Sequence, residues 1–199
     1  VREGKCILIW FTDSQRSPTC KRLSAELFSL PDFDKWAEQN LVRLRVDSYV
    51  RGTAGKRQYE DGFDEMDAEA RIGDYVESLK KRYKVLGCPT LVMLTPQGEV
   101  IERYRGYTTG NGEFVWGQLK SAVIAGGKSH DAWRKRLEKR GYRDWTGRQA
   151  GLKIFAKLLA YREGDLLLVE PGGQRVKTNE RRLSDADRLW IEEQKRQRQ

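Results

Sequence analysis

Two short stretches hold the side chains that could do chemistry. The first is Ser17-Pro18-Thr19-Cys20, which follows the apolar run Cys6-Ile7-Leu8-Ile9-Trp10-Phe11 and the polar turn Thr12-Asp13-Ser14-Gln15-Arg16. The second, far downstream, is Cys88-Pro89. A cysteine acts as a nucleophile through its thiolate, a form favoured near a helix N-terminus or a cation. A strand-length apolar run, a polar turn and a proline at a helix start carry Cys20 to the carboxyl edge of an α/β sheet, where sites are built. The third thiol, Cys6, starts the strand that Phe11 ends, and about five residues at roughly 3.3 Å each put it at the opposite edge. Three cysteines, an odd number, do not make a disulfide framework. No metal is expected, because the single histidine, His130, is far in sequence from every cysteine and no Cys-x-x-Cys pair exists. No other cofactor is expected either.

Residues 11 to 21, Phe-Thr-Asp-Ser-Gln-Arg-Ser-Pro-Thr-Cys-Lys, resemble the Phe-Thr-Gly-Ser-Asp-Trp-Cys-x-x-Cys-Lys signature of the thioredoxin superfamily, in its branch related to disulfide-interchange domains. Cys20 falls on the second cysteine of that signature and Ser17 on the first. Residues 83 to 91, Tyr-Lys-Val-Leu-Gly-Cys-Pro-Thr-Leu, resemble the family segment that carries a cis proline, here Pro89. The two matches stand in the family's order. The resemblance covers about residues 3 to 125 and implies a thioredoxin-like α/β fold.

The resemblance also says what chemistry to expect and where this chain departs from it. In the family the attacking thiolate is the N-terminal cysteine, and here that position is Ser17. A serine hydroxyl cannot form or resolve a mixed disulfide, so dithiol cycling through residues 17 and 20 is excluded. Trp10 stands where the family often keeps a buried carboxylate, and Arg16 where a tryptophan usually precedes the first cysteine. An engineered cysteine-to-serine change would alter residue 17 alone, whereas Trp10 and Arg16 favour a naturally degenerate site. Cys20 then reads as a small buried side chain. A second reading pairs it with Cys88, which the resemblance places beside the active-site helix. That pair could form a disulfide or a two-thiol site, given Cα atoms within roughly 7 Å.

The chain has 199 residues, more than a thioredoxin-sized domain needs, so one and a half to two domains are expected. Residues 1 to 127 carry 19 basic and 18 acidic side chains and residues 128 to 199 carry 19 and 11, so nearly all of the +9 net charge belongs to the C-terminal third. There is no apolar run long enough to span a membrane and no signal peptide, and a start at Val1 suggests a processed or trimmed leader.

The elements that must position these groups follow in order. Leu23, Leu27 and Leu30 continue the first helix, and Ser29-Leu30-Pro31-Asp32 reads as the capped start of another. Residues 41 to 47 alternate as a strand. Residues 48 to 68 hold a basic and then an acidic block, read as a solvated insertion or a partner-binding loop. Ile72, Tyr75, Val76, Leu79 and Tyr83 share a helical face expected in the core. Residues 90 to 94 and 99 to 105 read as a hairpin, and Glu113 to Val123 as a closing helix with Phe114, Val115, Leu119 and Val123 inward. The Ala125-Gly126-Gly127-Lys128-Ser129 stretch reads as a domain boundary, with a basic linker helix over His130 to Arg140.

Beyond it come three expected strands, near residues 152–159, 166–169 and 174–178, and a serine-capped helix from Leu183. Arg143-x-Trp145-Thr146, the Gly164-Asp165 turn, Gly172, Gly173, Val176 and Leu183-Ser184-x-Ala186-Asp187 resemble the SLA homology domain one. That family's members look like small SH3-like barrels, one of which recognises Asn-Pro-Phe-x-Asp peptides, and many occur in bacterial exported proteins. The match covers about residues 142 to 194 and implies a periplasmic or other extracytoplasmic location.

The organisation expected is therefore a thioredoxin-like domain over 1–126, a basic linker helix over 127–141, a small barrel over 142–194 and a tail over 195–199. The function expected is a non-catalytic binding or scaffold module joined to a peptide-binding or structural barrel. Thiol-disulfide exchange through Cys20 and Cys88, or a native cysteine at residue 17, is the alternative. Partner-binding candidates are Arg16 in the first domain and Trp145, Lys153, Arg175, Lys177 and Trp190 in the second, the lysines and arginines suiting an acidic protein or peptide. Both tryptophans also suit the core of so small a domain. Nucleic acid is not expected, because no base-reading motif accompanies the charge.

Overall fold

A computed structural model describes residues 4–49, 65–149 and 153–196, the side chains of residues 65–68 excepted. The chain divides into two compact units, Glu3–His130 and Asp131–Gln199. In the first, the apolar run becomes strand β1, Cys6–Thr12, in the middle of a four-stranded sheet. Strand β2, Leu41–Asp47, runs parallel to it at one edge. On its other side lie β3, Thr90–Leu94, and then β4, Val100–Arg105, both antiparallel to their neighbours. The sheet order is β2-β1-β3-β4. A strand covered on both faces reads as a nearly continuous apolar run, which is why residues 6 to 11 show no alternation.

Each face of that sheet has its own core. On one, Leu8, Leu91 and Met93 pack with Leu23, Leu27, Phe33, Leu119 and Ala122 from the helices. On the other, Ile9, Phe11, Val92 and Leu94 pack with Val76, Leu79 and Tyr83. The helices are α1, Pro18–Leu23; α2, Pro31–Asn40; α3, Glu65–Tyr83; and α4, Gly112–Glu138. This is helix on sheet on helix, the layering expected of a thioredoxin-like α/β fold.

Several local expectations need correction. Helix α1 does not simply continue to residue 29 but passes into a π-helical turn over Ser24–Phe28, in which the Ser29 amide donates to the Ser24 carbonyl at 2.8 Å. Ser29 ends that turn and caps nothing downstream; α2 starts from Leu30 with no side-chain cap, and Pro31 fixes its first turn. Tyr75 and Phe114 are 62% and 64% exposed, and Ile72 is exposed as well, because both helices turn a narrower stripe inward than their apolar spacing suggested. The glycine pair at 126–127 does not interrupt α4, which runs on through residue 138. The charged insertion expected over residues 48 to 68 lies, for residues 50–64, outside the described residues.

In the second unit β5, Tyr142–Thr146; β6, Lys153–Arg162; β7, Asp165–Val169; and β8, Arg175–Asn179 form an antiparallel sheet in that order. Its first strand was not anticipated, since Arg143 and Asp144 break the apolar pattern. Among the described residues the sheet is open, with β5 and β8 as its edges. Helix α5, Asp185–Arg196, follows; the Ser184 Oγ accepts the Asp187 amide hydrogen and caps it. It runs through Arg196, into the stretch expected as a tail over 195–199. Trp145, Ala156, Leu166, Leu168, Leu183 and Ile191 make the core.

Candidate functional site

The chain leaves β1 at Thr12 and is folded back at once by its own polar groups. The Asp13 carboxylate accepts the Arg16 amide hydrogen at 2.9 Å, and the Asp13 carbonyl accepts that of Ser17 at 3.2 Å. Ser17 stays extended, with φ −96° and ψ 108°, and its Oγ accepts the Cys20 amide hydrogen at 3.2 Å. It is therefore the N-cap of α1, with Pro18 in the first turn, where a missing N–H costs nothing. Cys20 is 1% exposed, and its sulfur accepts the Asp13 amide hydrogen at 3.4 Å.

The end of β2 reaches the same edge. Parallel pairing sets Asp47 beside Thr12, and its carboxylate accepts amide hydrogens from Ser14 and Tyr49, each at 3.1 Å, and pairs with Arg45 at 2.8 Å. Burial pushes the Asp47 carboxyl up, but the hydrogen bonds from Ser14, Tyr49 and Arg45 outweigh it and hold the group below the usual carboxylate range.

Cys88 arrives on the loop before β3, and its peptide bond to the buried Pro89 is cis. Its sulfur lies 3.8 Å from the Ser48 hydroxyl. Burial raises the Cys88 thiol above its ordinary value, a hydrogen bond with Ser48 opposes this, and Cys20 adds to the rise through its charge. The two downstream thiols thus share one electrostatic environment, yet all three cysteines are free. Cys6 sits apart, against α4, with its thiol at 3.9 Å from the Val123 carbonyl and raised by burial. Among the described residues no group of His, Cys, Asp and Glu could hold a metal ion.

Trp10 is half-buried, stacked on Phe28 at 4.2 Å between ring centres, with the Arg45 guanidinium 5.2 Å over its ring. Its Nε1 is buried and has no acceptor among the described residues. Arg16 is exposed, 5.9 Å over the Tyr49 ring. Sequence reasoning passed over Asp47 and Ser48, although parallel pairing of residues 41–47 with 6–12 would have brought both to the Ser17 edge.

In the second unit the candidates separate. Trp145 is 1% exposed, its Nε1–H donating to the Ala156 carbonyl at 3.0 Å, so it packs the core and cannot meet a partner. Trp190 meets it edge-on at 5.3 Å. Arg143 lies over both indole rings, at 4.9 and 4.4 Å, and pairs at 2.7 Å with Asp187, which is almost wholly buried. Lys153 is exposed and pairs with Asp144 at 3.0 Å; burial raises that carboxyl, but Arg134 and Lys153 outweigh it and bring it below its ordinary value. Arg175 and Lys177 are exposed on β8. Lys177 lines a groove of about 720 Å³ together with Arg162 and Arg182, whose charge the sequence shows but whose convergence depends on strand register.

Three solved structures are similar to part of the chain. DsbH oxidoreductase is 24% identical, with 62% of this chain and 75% of that one covered and a TM-score of 0.46. A thioredoxin from Thermus thermophilus is 18% identical, covering 65% and 82%, with a TM-score of 0.45. StoA from Bacillus subtilis is 20% identical, covering 60% and 83%, with a TM-score of 0.38. No curated protein matches the chain significantly. No helix among the described residues is long and apolar enough to cross a membrane. Residues 1–115, more than half of the chain, match the thioredoxin-like domain family, and the chain belongs to that family.

Proposed function

We propose that the thioredoxin-fold unit is a binding or scaffold module that does not cycle a dithiol. The observation carrying this reading is the Ser17 Oγ, an oxygen at the position of the family's attacking sulfur and already engaged by the Cys20 amide at 3.2 Å. Of the two nearby thiols, Cys20 is buried and Cys88 is half-buried with its proton held more tightly than usual. Exchange needs an accessible thiolate; Cys20 is 1% exposed, and burial holds the proton on Cys88. The test is insulin reduction driven by dithiothreitol, comparing the full chain with Ser17→Cys. Only the variant should turn over, and robust turnover by the unmodified chain ends the reading.

A second reading, exchange through Cys20 and Cys88, is favoured by one observation, the placement of both thiols where β1 ends: the Cys20 sulfur accepts the Asp13 amide hydrogen at 3.4 Å, and Cys88 lies 3.8 Å from the hydroxyl of Ser48, whose amide donates to the Thr12 carbonyl at 2.8 Å. Titrating thiols before and after reduction separates it. A Cys20–Cys88 bridge hides two of the three cysteines, whereas the binding module keeps all three reactive once unfolded.

For the second unit we propose the SLA homology domain one relationship, an SH3-like barrel that takes an acidic peptide on the surface of Arg162, Lys177 and Arg182. The antiparallel order of its strands and the Gly147–Leu183 bridge support this. So does the groove that Arg162, Lys177 and Arg182 line together with Glu163 and Asp165, in which the cations outnumber the acids by one. The same resemblance supports an extracytoplasmic location. Salt-sensitive capture of acidic peptides by the full chain, lost in Lys177→Glu with Arg182→Glu, is the expected result; unchanged capture by that variant removes the groove from the proposal.

A further inference from the structure

On the sheet face that carries Trp10, the first unit encloses a cleft of about 220 Å³, walled by Cys20 on one side. None of the residues lining it is acidic. Its lining includes groups that can donate, the Arg45 guanidinium, the Lys21 ammonium and the hydroxyls of Ser24 and Ser29, while the Ser14 hydroxyl is already given to the Asp47 carboxylate. The Trp10 Nε1–H is buried and, among the described residues, has no acceptor; burial keeps it from an oxygen in the cleft, so Trp10 contributes its ring to the wall and not a donor.

The local fold explains why such a cleft exists. Trp10 and Arg45 are register partners on β1 and β2, so both stand on one face of the sheet. Opposite them the helix changes from α to π at Ser24, the kind of wider turn that often marks functional sites. From outside the cleft Asp47 binds the Arg45 Nη2 at 2.8 Å, and the Arg45 side chain is 54% exposed. Lys21 is exposed and supplies a second positive charge. By the roughly 30 Å³ that each water occupies, the volume exceeds that of a few waters and admits a tetrahedral anion.

We infer that this cleft is a binding site for a small tetrahedral oxyanion of the phosphate or sulfate class. Lys21 and Arg45 provide the charge, the hydroxyls of Ser24 and Ser29 provide the neutral donors, and the Trp10 ring walls the cleft and reports on it. The site uses neither Ser17 nor the second unit and so goes beyond the function proposed above. Loss of the anion site leaves that proposal standing, and the insulin assay leaves the anion site standing.

The experiment follows the indole N–H resonances of the full-length ¹⁵N-labelled chain while sodium phosphate, sodium sulfate or sodium acetate replaces sodium chloride at constant ionic strength. The Trp10 signal is assigned by its absence from the spectrum of Trp10→Phe. Phosphate and sulfate should move the Trp10 signal saturably and leave the remaining indoles in place, with acetate weaker. Lys21→Gln combined with Arg45→Gln should weaken binding many-fold, while Ser17→Ala should leave it unchanged. A Trp10 signal that follows the chloride control, or equal affinity in the double variant, overturns the assignment. Should the double variant fail to fold, Lys21→Gln alone, a change at an exposed side chain, carries the same comparison.

Discussion

The Ser17 Oγ accepts the Cys20 amide hydrogen at 3.2 Å, so Ser17 is the N-cap of the helix that carries Cys20. Caps of this kind contribute about 1 kcal/mol, and glycine at the same position loses only a few tenths. Ser17→Ala should therefore lower unfolding stability by about 1 kcal/mol, and Ser17→Gly by clearly less. Urea unfolding of the three proteins measures it. Equal stability of Ser17→Ala and the parent would mean that the hydroxyl does no capping.

The acid side of the stability profile should depend on Asp47. Its folded carboxyl lies below the usual range, because the bonds from Ser14, Tyr49 and Arg45 outweigh burial. A depressed folded value means that the unfolded chain takes up the proton first as pH falls. The contribution is thus complete above about pH 5 and is lost as pH drops through roughly 4 and below, near the ordinary aspartate value. Asp47→Asn should lower the stability at neutral pH and flatten the decline between those limits. Urea midpoints taken at a series of pH values test this, and a variant with the parent's slope would remove Asp47 from the account.

On the alkaline side the sign reverses. Burial raises the Cys88 thiol, so the unfolded chain gives up its proton first as pH rises. This contribution is whole below the ordinary thiol value of about 8.5 and is lost as pH climbs through the raised folded value. Cys88→Ser should make the midpoints less dependent on pH above about 8.5. Unaltered dependence would show that Cys88 titrates alike in both states.

In the second unit the Arg143–Asp187 pair at 2.7 Å is the polar element most deeply set into the core. Asp187 also accepts from the Thr146 amide at 2.7 Å and the Ser184 hydroxyl at 2.9 Å, so it ties β5 to the start of α5. Removing one partner of such a pair strands the other. Asp187→Ala should cost about 3 kcal/mol or more, whereas exposed Lys153→Ala, on an ion pair at the surface, should cost less than about 1 kcal/mol. Separate unfolding of the two variants, followed by tryptophan fluorescence, makes the comparison. Similar small losses would show that the Asp187 network is not what joins the strand to the helix.

Much of the first unit could be read from single residues. Its β1 is an apolar run, and Ser17-Pro18 and Cys88-Pro89 mark where the chain turns at the functional edge. What could not be read was anything set by register or by face. Asp47 joins the site because β2 pairs in parallel with β1, and Arg45 reaches Trp10 for the same reason. Tyr75 and Phe114 have helical spacing suited to a core, but spacing gives a period and not the angle at which the helix meets the sheet. In the second unit the type of Trp145 suits either a core or a partner anchor, and the small size of the domain weighs toward the core. The contact with the Ala156 carbonyl decides between them.

The glycines of α4 misled for a related reason, and they lead to the most discriminating pair of substitutions. Gly126 and Gly127 are adjacent, and composition alone treats them alike as helix breakers. In the structure both are helical, but a methyl group on Gly126 would run into the Cys6 sulfur and come within 2.8 Å of the Ile101 side chain, while Gly127 has open space. Gly126 is therefore the point at which α4 approaches the sheet too closely for any side chain, and Cys6, short and buried, has little room to yield. Gly127→Ala should stabilise the protein by about 0.5 to 1 kcal/mol through helix propensity. Gly126→Ala gains the same propensity yet should destabilise it by about 1 to 3 kcal/mol through overpacking. Combining Gly126→Ala with Cys6→Ala should recover part of that loss, because the sulfur is the nearest obstruction. Thermal unfolding of the three variants distinguishes packing from linker behaviour. If both glycine substitutions stabilised alike, the pair would be a flexible hinge in solution and the close approach to Cys6 would carry no weight.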